Sequence, residues 1–545
     1  MYRKEKPIAE SRTEDICMTE DDIISIGDVV RFQAQEQPDA VVFTFEGDEM
    51  TYAALDAGSN RAAQALASKG VSKGDRIAYM GKNSHLYFEI LVGAAKLGAV
   101  MVPVNWRLAP PEVAYILNDC QARLLFIGPG FDELAGKIRD DLEHVELILG
   151  SEKAEGDFPG YPAWRDGFEP EDPKVPCAED DDALQLYTSG TTGHPKGAIM
   201  TNGSIFSSRS AGVSEEDLMD WQKPVPGEIT LLAMPCFHIS GTGTGLAVMF
   251  TGGSAIVLPE YDPTQALDLI AQYNISKIFM VPAAIQILLN HPRAKDVDFS
   301  NLKYITYGAS PIPLELMKQA MDVLGCGFVQ MYGMTETSGT ITTLNPEDHD
   351  VNGNEKMRSV GTPLPGVEIK IIDPETGETL PPYTIGEIAT RSAKNMKGYW
   401  NRPEATAETI DADGWLRTGD AGSLDEDGYL YIQDRLKDMI ISGGENVYPA
   451  EVENALYANP KVADVAVIGV PDAKWGEAVK ACVVVKAGQE LTEAELIADA
   501  RTRIAGYKCP KSIDFIEALP RNPSGKILRK DLRAPYWEGR DRAVN

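Results

Sequence analysis

The sequence predicts an α/β protein: a large N-terminal body of several subdomains on mostly parallel sheets, with a small β-rich subdomain, then a small α+β C-terminal domain. Three observations lead there. At 545 residues the chain exceeds the ~250–300 at which one hydrophobic core stops growing. From about residue 76 to about 345, short apolar runs alternate with helix-length segments, the pattern of buried parallel strands. After about residue 360 short strands and turns take over, and the texture changes again beyond Asp434-Arg435. The expected division is 1–435 and 436–545.

The elements follow in order. Arg76-Ile77-Ala78-Tyr79-Met80 reads as a strand feeding a helix that runs to Leu97. Apolar runs at 229–234, 254–259, 277–282 and 304–307 read as further strands, each followed by room for a helix. Gly361-Thr362-Pro363-Leu364-Pro365-Gly366 is a turn, with strands expected at 368–372 and 387–390. The last unit is expected to hold a helix at 450–457, strands at 463–469 and 480–486, and a helix at 492–504.

Composition narrows the class. A hydrophobic share of 43% with 24% charged residues excludes a disordered or collagen-like chain. No stretch reaches the ~18–20 apolar residues of a membrane span. Neither the start, Met1-Tyr2-Arg3-Lys4-Glu5-Lys6, nor the end, Arg542-Ala543-Val544-Asn545, reads as a targeting signal. Seven cysteines (Cys17, Cys120, Cys177, Cys236, Cys326, Cys482, Cys509) are scattered and never spaced Cys-x-x-Cys. A disulfide framework or zinc site is not expected, and a reducing cytoplasm is the expected setting. The net charge of −31 repels nucleic acid and anionic lipid, so neither is an expected partner. That excess lies wholly within 1–435: residues 436–545 carry 16 basic and 16 acidic side chains, and from Arg501 onward 11 basic face 5 acidic.

The strongest local feature is Tyr187-Thr188-Ser189-Gly190-Thr191-Thr192-Gly193-His194-Pro195-Lys196-Gly197. Hydroxyls, glycines and a lysine in one run suit a loop wrapped around a polyphosphate, because glycine lets backbone N–H groups approach closely. It is not a Walker A loop, since Lys196 is followed by Gly197. Gln330-Met331-Tyr332-Gly333-Met334-Thr335-Glu336-Thr337 follows an apolar strand and offers Glu336 as an oxygen ligand for a hard cation. Gly308-Ala309-Ser310 ends another strand with small residues that admit a flat base. Gly414-Trp415-Leu416-Arg417-Thr418-Gly419-Asp420 offers a carboxylate between turns, and Asp434-Arg435-Leu436-Lys437-Asp438 a further cation. Ser442-Gly443-Gly444-Glu445-Asn446 leaves backbone open to a narrow ligand. Near the basic end, Pro520-Arg521-Asn522-Pro523-Ser524-Gly525-Lys526 holds a lysine in a turn.

These motifs, in this order, resemble the adenylate-forming superfamily of acyl-CoA synthetases, amino-acid adenylation domains and beetle luciferases, and the resemblance runs from about residue 25 to about 533. The C-terminal half is most similar to bacterial fatty-acyl-CoA synthetases. The resemblance implies ATP, Mg2+ and CoA as cofactor and co-substrates, and a mobile C-terminal domain. It implies that Glu336 contacts the metal, Thr335 the phosphate, and Tyr332 the adenine, with Gly308, Ala309 and Ser310 as the other wall of that site. Asp420 would hold the ribose, Arg435 add a ribose or phosphate contact, and Lys437 sit at the hinge. Lys526 would be the cation on the α-phosphate, where charge builds during in-line attack. Gly443, Gly444, Trp475, Tyr507, Lys508 and Lys511 would line the CoA site, although Cys509 stands where a relative has a basic residue.

The acid is less legible. Met234-Pro235-Cys236-Phe237-His238-Ile239-Ser240-Gly241 would form the pocket entrance, with His238 gating the acyl path. Amino-acid adenylation domains carry an Asp at that position, which argues against an amino acid. Gly241, Gly243 and Gly245 are expected to leave space for an extended chain. The leading expectation is an AMP-forming ligase joining a medium- or long-chain fatty acid to CoA. An aryl, cinnamate-type or steroid-side-chain acid, a carrier-protein acceptor, and a non-catalytic nucleotide-binding relative are the rivals. The expected partners are a small carboxylic acid, ATP and CoA, with no stable membrane insertion and a homodimer left open.

Overall fold

The computed structural model describes residues 18–188, 195–207, 218–223, 225, 227–310, 312–350, 354–435, 438–442, 445–472, 474–522 and 526–538. Four sheets organise these residues. One has seven strands, in the order Gly398–Tyr399, Lys196–Thr201, Asp182–Thr188, Val100–Val104, Arg76–Met80, Leu124–Ile127, Leu147–Gly150. Its Arg76–Met80, Val100–Val104, Leu124–Ile127 and Leu147–Gly150 strands are parallel, whereas Lys196–Thr201 turns back on Asp182–Thr188 as a hairpin.

The nine-stranded sheet runs Thr362–Pro363, Gly339–Leu344, Gly327–Met334, Tyr304–Gly308, Lys277–Met280, Ile229–Leu232, Ser254–Val257, Val41–Phe45, Asp48–Thr51. The expected strands are all present but end two residues earlier at Leu232, Val257 and Met280, where the chain turns into the next connection. The hairpin Val41–Phe45/Asp48–Thr51 was not expected. Val41–Phe45 pairs in parallel with Ser254–Val257.

The two large sheets share one core. The helix His85–Lys96 lies within it and buries nearly every residue, as an all-round apolar helix must. Ser84 starts this helix by accepting from the Leu86 N–H, and Phe88 stacks on Phe43 of the nine-stranded sheet at 4.6 Å. Its last residue, Lys96, is fully buried and answered by Asp56 Oδ1 at 2.6 Å and Asn60 Oδ1 at 2.7 Å.

The β-rich part is a four-stranded antiparallel sheet, Glu368–Ile372, Gly386–Arg391, Leu416–Leu424, Leu430–Arg435. The fourth sheet follows: Glu445–Val447, Ile440–Ser442, Gly476–Val485 and Val462–Asp472 in order, with Ser512–Phe515 parallel to Gly476–Val485. The helix expected at 492–504 is shorter, Glu493–Ala500, capped by Thr492, and residues beyond it form turns. Among the described residues no helix is long and apolar enough to cross a membrane.

Candidate active site

The hairpin Asp182–Thr188/Lys196–Thr201 places Thr188 opposite Lys196 in register. Both therefore flank the loop 189–194, and Ser189, Gly190, Thr191, Thr192 and Gly193 themselves lie outside the described residues. Tyr187 belongs to the strand and not to the loop hydroxyls. It sits inside the strand and donates to Asp119 Oδ2 at 2.6 Å, anchoring the hairpin to the helix Pro110–Asp119.

Thr188 Oγ1 donates to Glu336 Oε1 at 3.2 Å. Glu336 lies in the short turn Thr335–Thr337, which joins the strands Gly327–Met334 and Gly339–Leu344. The turn is tight for a steric reason. A Cβ on Gly333 would fall 1.9 Å from Gly339 O, so only glycine lets the two strands cross this closely. Ser338 closes the turn in the left-handed region (φ +49°), and Thr337 Oγ1 donates to Gly339 O at 2.7 Å. Thr335 opens the same turn, half-buried beside Glu336.

One strand pairing away, Gly308 lies level with Met331, and a Cβ there would meet Met331 O at 2.2 Å. Ala309 follows with φ +68°, a left-handed conformation costing roughly 1–2 kcal/mol for a residue with a side chain. Ser310 continues that bend. Tyr332, in the adjoining strand, donates its hydroxyl to Asp420 Oδ2 at 2.8 Å. Burial and the neighbouring Asp420 push the phenol well above its ordinary pKa, so it stays a donor.

Asp420 is not between turns, as its sequence context implied, but inside the strand Leu416–Leu424 at an irregular point of the pairing. Gly419 takes φ +71° and donates its N–H to Glu387 Oε1 at 3.1 Å, and Asp420 N–H bonds Thr418 Oγ1. This bulge re-aims the carboxylate toward Tyr332. On the next strand Arg435 pairs with Asp420 in register, Nε to Oδ1 at 3.3 Å. Burial opposes the Arg435 charge, but Asp420 and Glu336 more than offset it and hold its pKa above the ordinary value. Asp434 turns away from this cluster and accepts from Ala450 N–H at the start of the helix Pro449–Tyr457.

Sequence reasoning missed Tyr399. Its hydroxyl donates to Glu336 Oε1 at 2.9 Å, and Lys196 Nζ lies 5.1 Å from its ring centroid. The signal available was Gly398-Tyr399-Trp400-Asn401-Arg402-Pro403, an aromatic pair against a turn, with nothing to say which partner it meets. Thr188, Lys196, Glu336 and Tyr399 therefore form one cluster, and Tyr332, Asp420 and Arg435 another at the base of the same turn. Glu336 supplies a hard oxygen ligand, and among the described residues no group of three or more His, Cys, Asp or Glu surrounds it. That donor set fits a magnesium ion that takes its remaining ligands from phosphates and water.

Lys526 lies in a hairpin near the end of the chain, where Arg521 pairs with Ile527. Lys526 N–H bonds Asn522 Oδ1 at 2.8 Å and Asn522 N–H bonds Lys526 O at 2.7 Å, which ties these two residues together. Three residues on, Arg529 Nη2 meets Glu453 at 2.8 Å and Arg529 Nη1 lies 4.0 Å from Asp434, beside Arg435. Lys437, Gly443 and Gly444 lie outside the described residues. Trp475 and Tyr507 are exposed. Lys508 Nζ is held by both Glu451 oxygens at 2.7 Å, so its charge is already met. Lys511 is exposed, and Cys509 is buried.

His238 immediately precedes the helix Ile239–Phe250 without capping it through its side chain, and its ring lies 4.6 Å from that of Phe237. Its Nε2 is buried without a partner among the described residues, and burial lowers its pKa to about 4, so the ring is neutral. The glycines that follow do not all leave space. A Cβ on Gly241 would meet Pro235 O at 2.3 Å and one on Gly245 would meet Phe88 at 2.2 Å; Gly243 alone of the three faces open room. Gly241 and Gly245 serve close packing of the helix instead.

Compared with known families, residues 30–400 match the AMP-binding enzyme model and residues 451–526 its C-terminal domain. The chain belongs to the AMP-binding enzyme family. It is an adenylate-forming ligase, close to the acyl-CoA synthetases. It is 42% identical to the fatty acid–[acyl-carrier-protein] ligase ScoC of Streptomyces coeruleorubidus over 94% of this chain and 97% of that protein. It is 40% identical to the feruloyl-CoA synthase of an Amycolatopsis species over 92% and 97%. Among solved structures, ATP-bound MatB from Rhodopseudomonas palustris superposes with a TM-score of 0.84 at 31% identity, over 94% of this chain and 99% of that one. The AMP-binding enzyme match ends just after Tyr399, so Tyr332 lies inside it and Asp420 and Arg435 beyond it.

Proposed function

We propose that this ligase activates a medium- or long-chain fatty acid as its acyl-AMP and passes the acyl group to CoA. The convergence of Thr188, Lys196, Tyr332, Glu336, Asp420 and Arg435 on one turn supports the first step. In it the substrate carboxylate oxygen attacks the α-phosphorus of ATP and the bond to pyrophosphate breaks. Loop 189–193 with Thr188 and Lys196 cradles the β- and γ-phosphates, and Thr335 meets phosphate. Tyr332 and the Gly308-Ala309-Ser310 bend enclose the adenine, while Asp420 accepts from the ribose hydroxyls with Arg435 beside it. Glu336 would hold a magnesium ion, whose charge would offset that of the phosphates. Lys526 bonds the substrate carboxylate and the α-phosphoryl oxygens.

In the second step the CoA sulfur attacks the acyl carbon and AMP leaves. The chain divides at 435/436, with Lys437 as the hinge that brings Gly443, Gly444, Trp475, Tyr507 and Lys511 to the reaction centre. A neutral His238 with its Nε2 buried and the open face of Gly243 support an apolar acyl path rather than an amine-binding one.

The test is pyrophosphate release and thioester formation across fatty, aryl and branched acids, with CoA, holo-acyl carrier protein or neither. Fatty acids with CoA are expected to give the highest turnover. No release from any fatty acid would remove the acid assignment. Acyl transfer only to the carrier would favour the second reading, a carrier-protein ligase. That reading draws on Lys508 being neutralised by Glu451, which leaves fewer cations for the CoA phosphates.

A further inference from the structure

The geometry points to Tyr399 as the positioning residue that fixes Glu336 for the nucleotide-bound magnesium ion, and so couples metal binding to the phosphate loop. This rests on reading Glu336 as the metal ligand. Glu336 is buried to 6% exposure, and its carboxylate takes hydrogen bonds from two side chains among the described residues, Tyr399 at 2.9 Å and Thr188 at 3.2 Å. Both land on Oε1, and Oε2 accepts from no described residue. A carboxylate with one oxygen anchored and the other open presents a fixed lone-pair direction to a cation.

Tyr399 is itself held from three sides. Its strand pairs with Lys196–Thr201, Tyr399 lying level with Ala198. Its N–H bonds Thr406 Oγ1 at 2.9 Å, and next to it Trp400 donates Nε1–H to Asp119 O at 2.9 Å. From the same segment, Met396 N–H bonds the Glu336 carbonyl at 2.8 Å, so backbone and side chain of Glu336 are gripped together. A phenol hydroxyl facing a carboxylate oxygen is the donor of that pair. The ring face meets Lys196, the cation at the far end of the loop. One aromatic side chain thus touches the metal ligand with its hydroxyl and the phosphate-loop lysine with its face.

Tyr399→Phe removes the hydroxyl and keeps the ring. Equilibrium binding of ATP, measured by calorimetry with Mg2+ and with EDTA, is the readout, alongside AMP binding and Glu336→Gln. Loss of such a supporting hydrogen bond is expected to weaken Mg2+-dependent ATP binding about tenfold, while binding of AMP and of metal-free ATP stays at the wild-type level. Binding of Mn2+ to the protein–ATP complex, followed by electron paramagnetic resonance, is expected to weaken by the same factor. If Glu336→Gln loses the Mg2+ effect and Tyr399→Phe keeps it, the positioning role is wrong although Glu336 is the ligand. If Glu336→Gln also keeps it, the ligand assignment itself fails and the positioning role with it. A Tyr399→Phe loss equal with and without Mg2+ would make the hydroxyl a general packing contact and overturn the proposal.

Discussion

Asp420 and Arg435 stand opposite each other on neighbouring antiparallel strands, and their side chains join across the pairing, Nε to Oδ1 at 3.3 Å. The other Asp420 oxygen holds the Tyr332 hydroxyl. Asp420→Asn keeps the shape but removes the charge that answers Arg435. Hydrogen bonds to charged groups are worth about 1.5–3 kcal/mol, so the KM for ATP is expected to rise about 10–100-fold. Pyrophosphate release against ATP concentration measures it; an unchanged KM would remove Asp420 from the nucleotide site.

Lys526→Ala is expected to slow acyl-AMP formation by about 10²–10³-fold, the scale of losing one positioned donor at a developing charge. Equilibrium ATP binding should persist. Wild-type pyrophosphate release from this variant would show that another cation meets the α-phosphate.

Lys437→Pro restricts one backbone dihedral at the proposed hinge. Acyl-AMP formation is expected to survive and transfer to CoA to disappear, read by pyrophosphate release beside thioester yield. Parallel loss of both steps would exclude a hinge at this position.

Asp434 gives a pH dependence with a definite sign. Burial raises its pKa from 3.8 to about 6, with Glu453 and Asp438 adding to the rise and Arg529 opposing it. The folded protein therefore holds this proton where the unfolded chain has released it. The contribution to stability is complete below pH 3.8 and lost as pH rises through about 6. Thermal melting of Asp434→Asn should show a smaller decline than wild type between pH 4 and 7; identical profiles would refute the assignment.

Two neighbouring glycines separate packing from space. Gly241→Ala pushes a methyl against Pro235 O at 2.3 Å and is expected to destabilise the fold by about 1–3 kcal/mol. Gly243→Ala meets nothing nearer than 3.8 Å and is expected to stabilise the helix by about 0.4–1 kcal/mol. Melting temperatures of the two variants should move in opposite directions; the same direction for both would contradict the packing described.

The strands of the body were legible because buried parallel strands are short apolar runs, and Arg76–Met80 and Glu368–Ile372 have the limits read from the sequence. Asp420 was recognised as a candidate but misplaced, since Thr418-Gly419-Asp420 reads as a turn and the structure uses it as a bulge inside a strand. Gly241 and Gly245 read as open space in the sequence because composition cannot tell a vacancy from a close contact with Pro235 or Phe88. Tyr399 was invisible for a different reason. It meets Glu336 across 63 residues of sequence, and no local pattern encodes that meeting.

The parallel pairing of Val41–Phe45 with Ser254–Val257 bears on how the chain is made. More than two hundred residues must leave the ribosome before that strand finds its partner. Until then its hairpin mate, Asp48–Thr51, covers one side and the other presents bare N–H and C=O groups beside Val42 and Phe43. A nascent chain stopped short of residue 254 carries an adhesive edge that pairing with Ser254–Val257 covers, so the early half of synthesis is when this strand is most exposed to wrong partners.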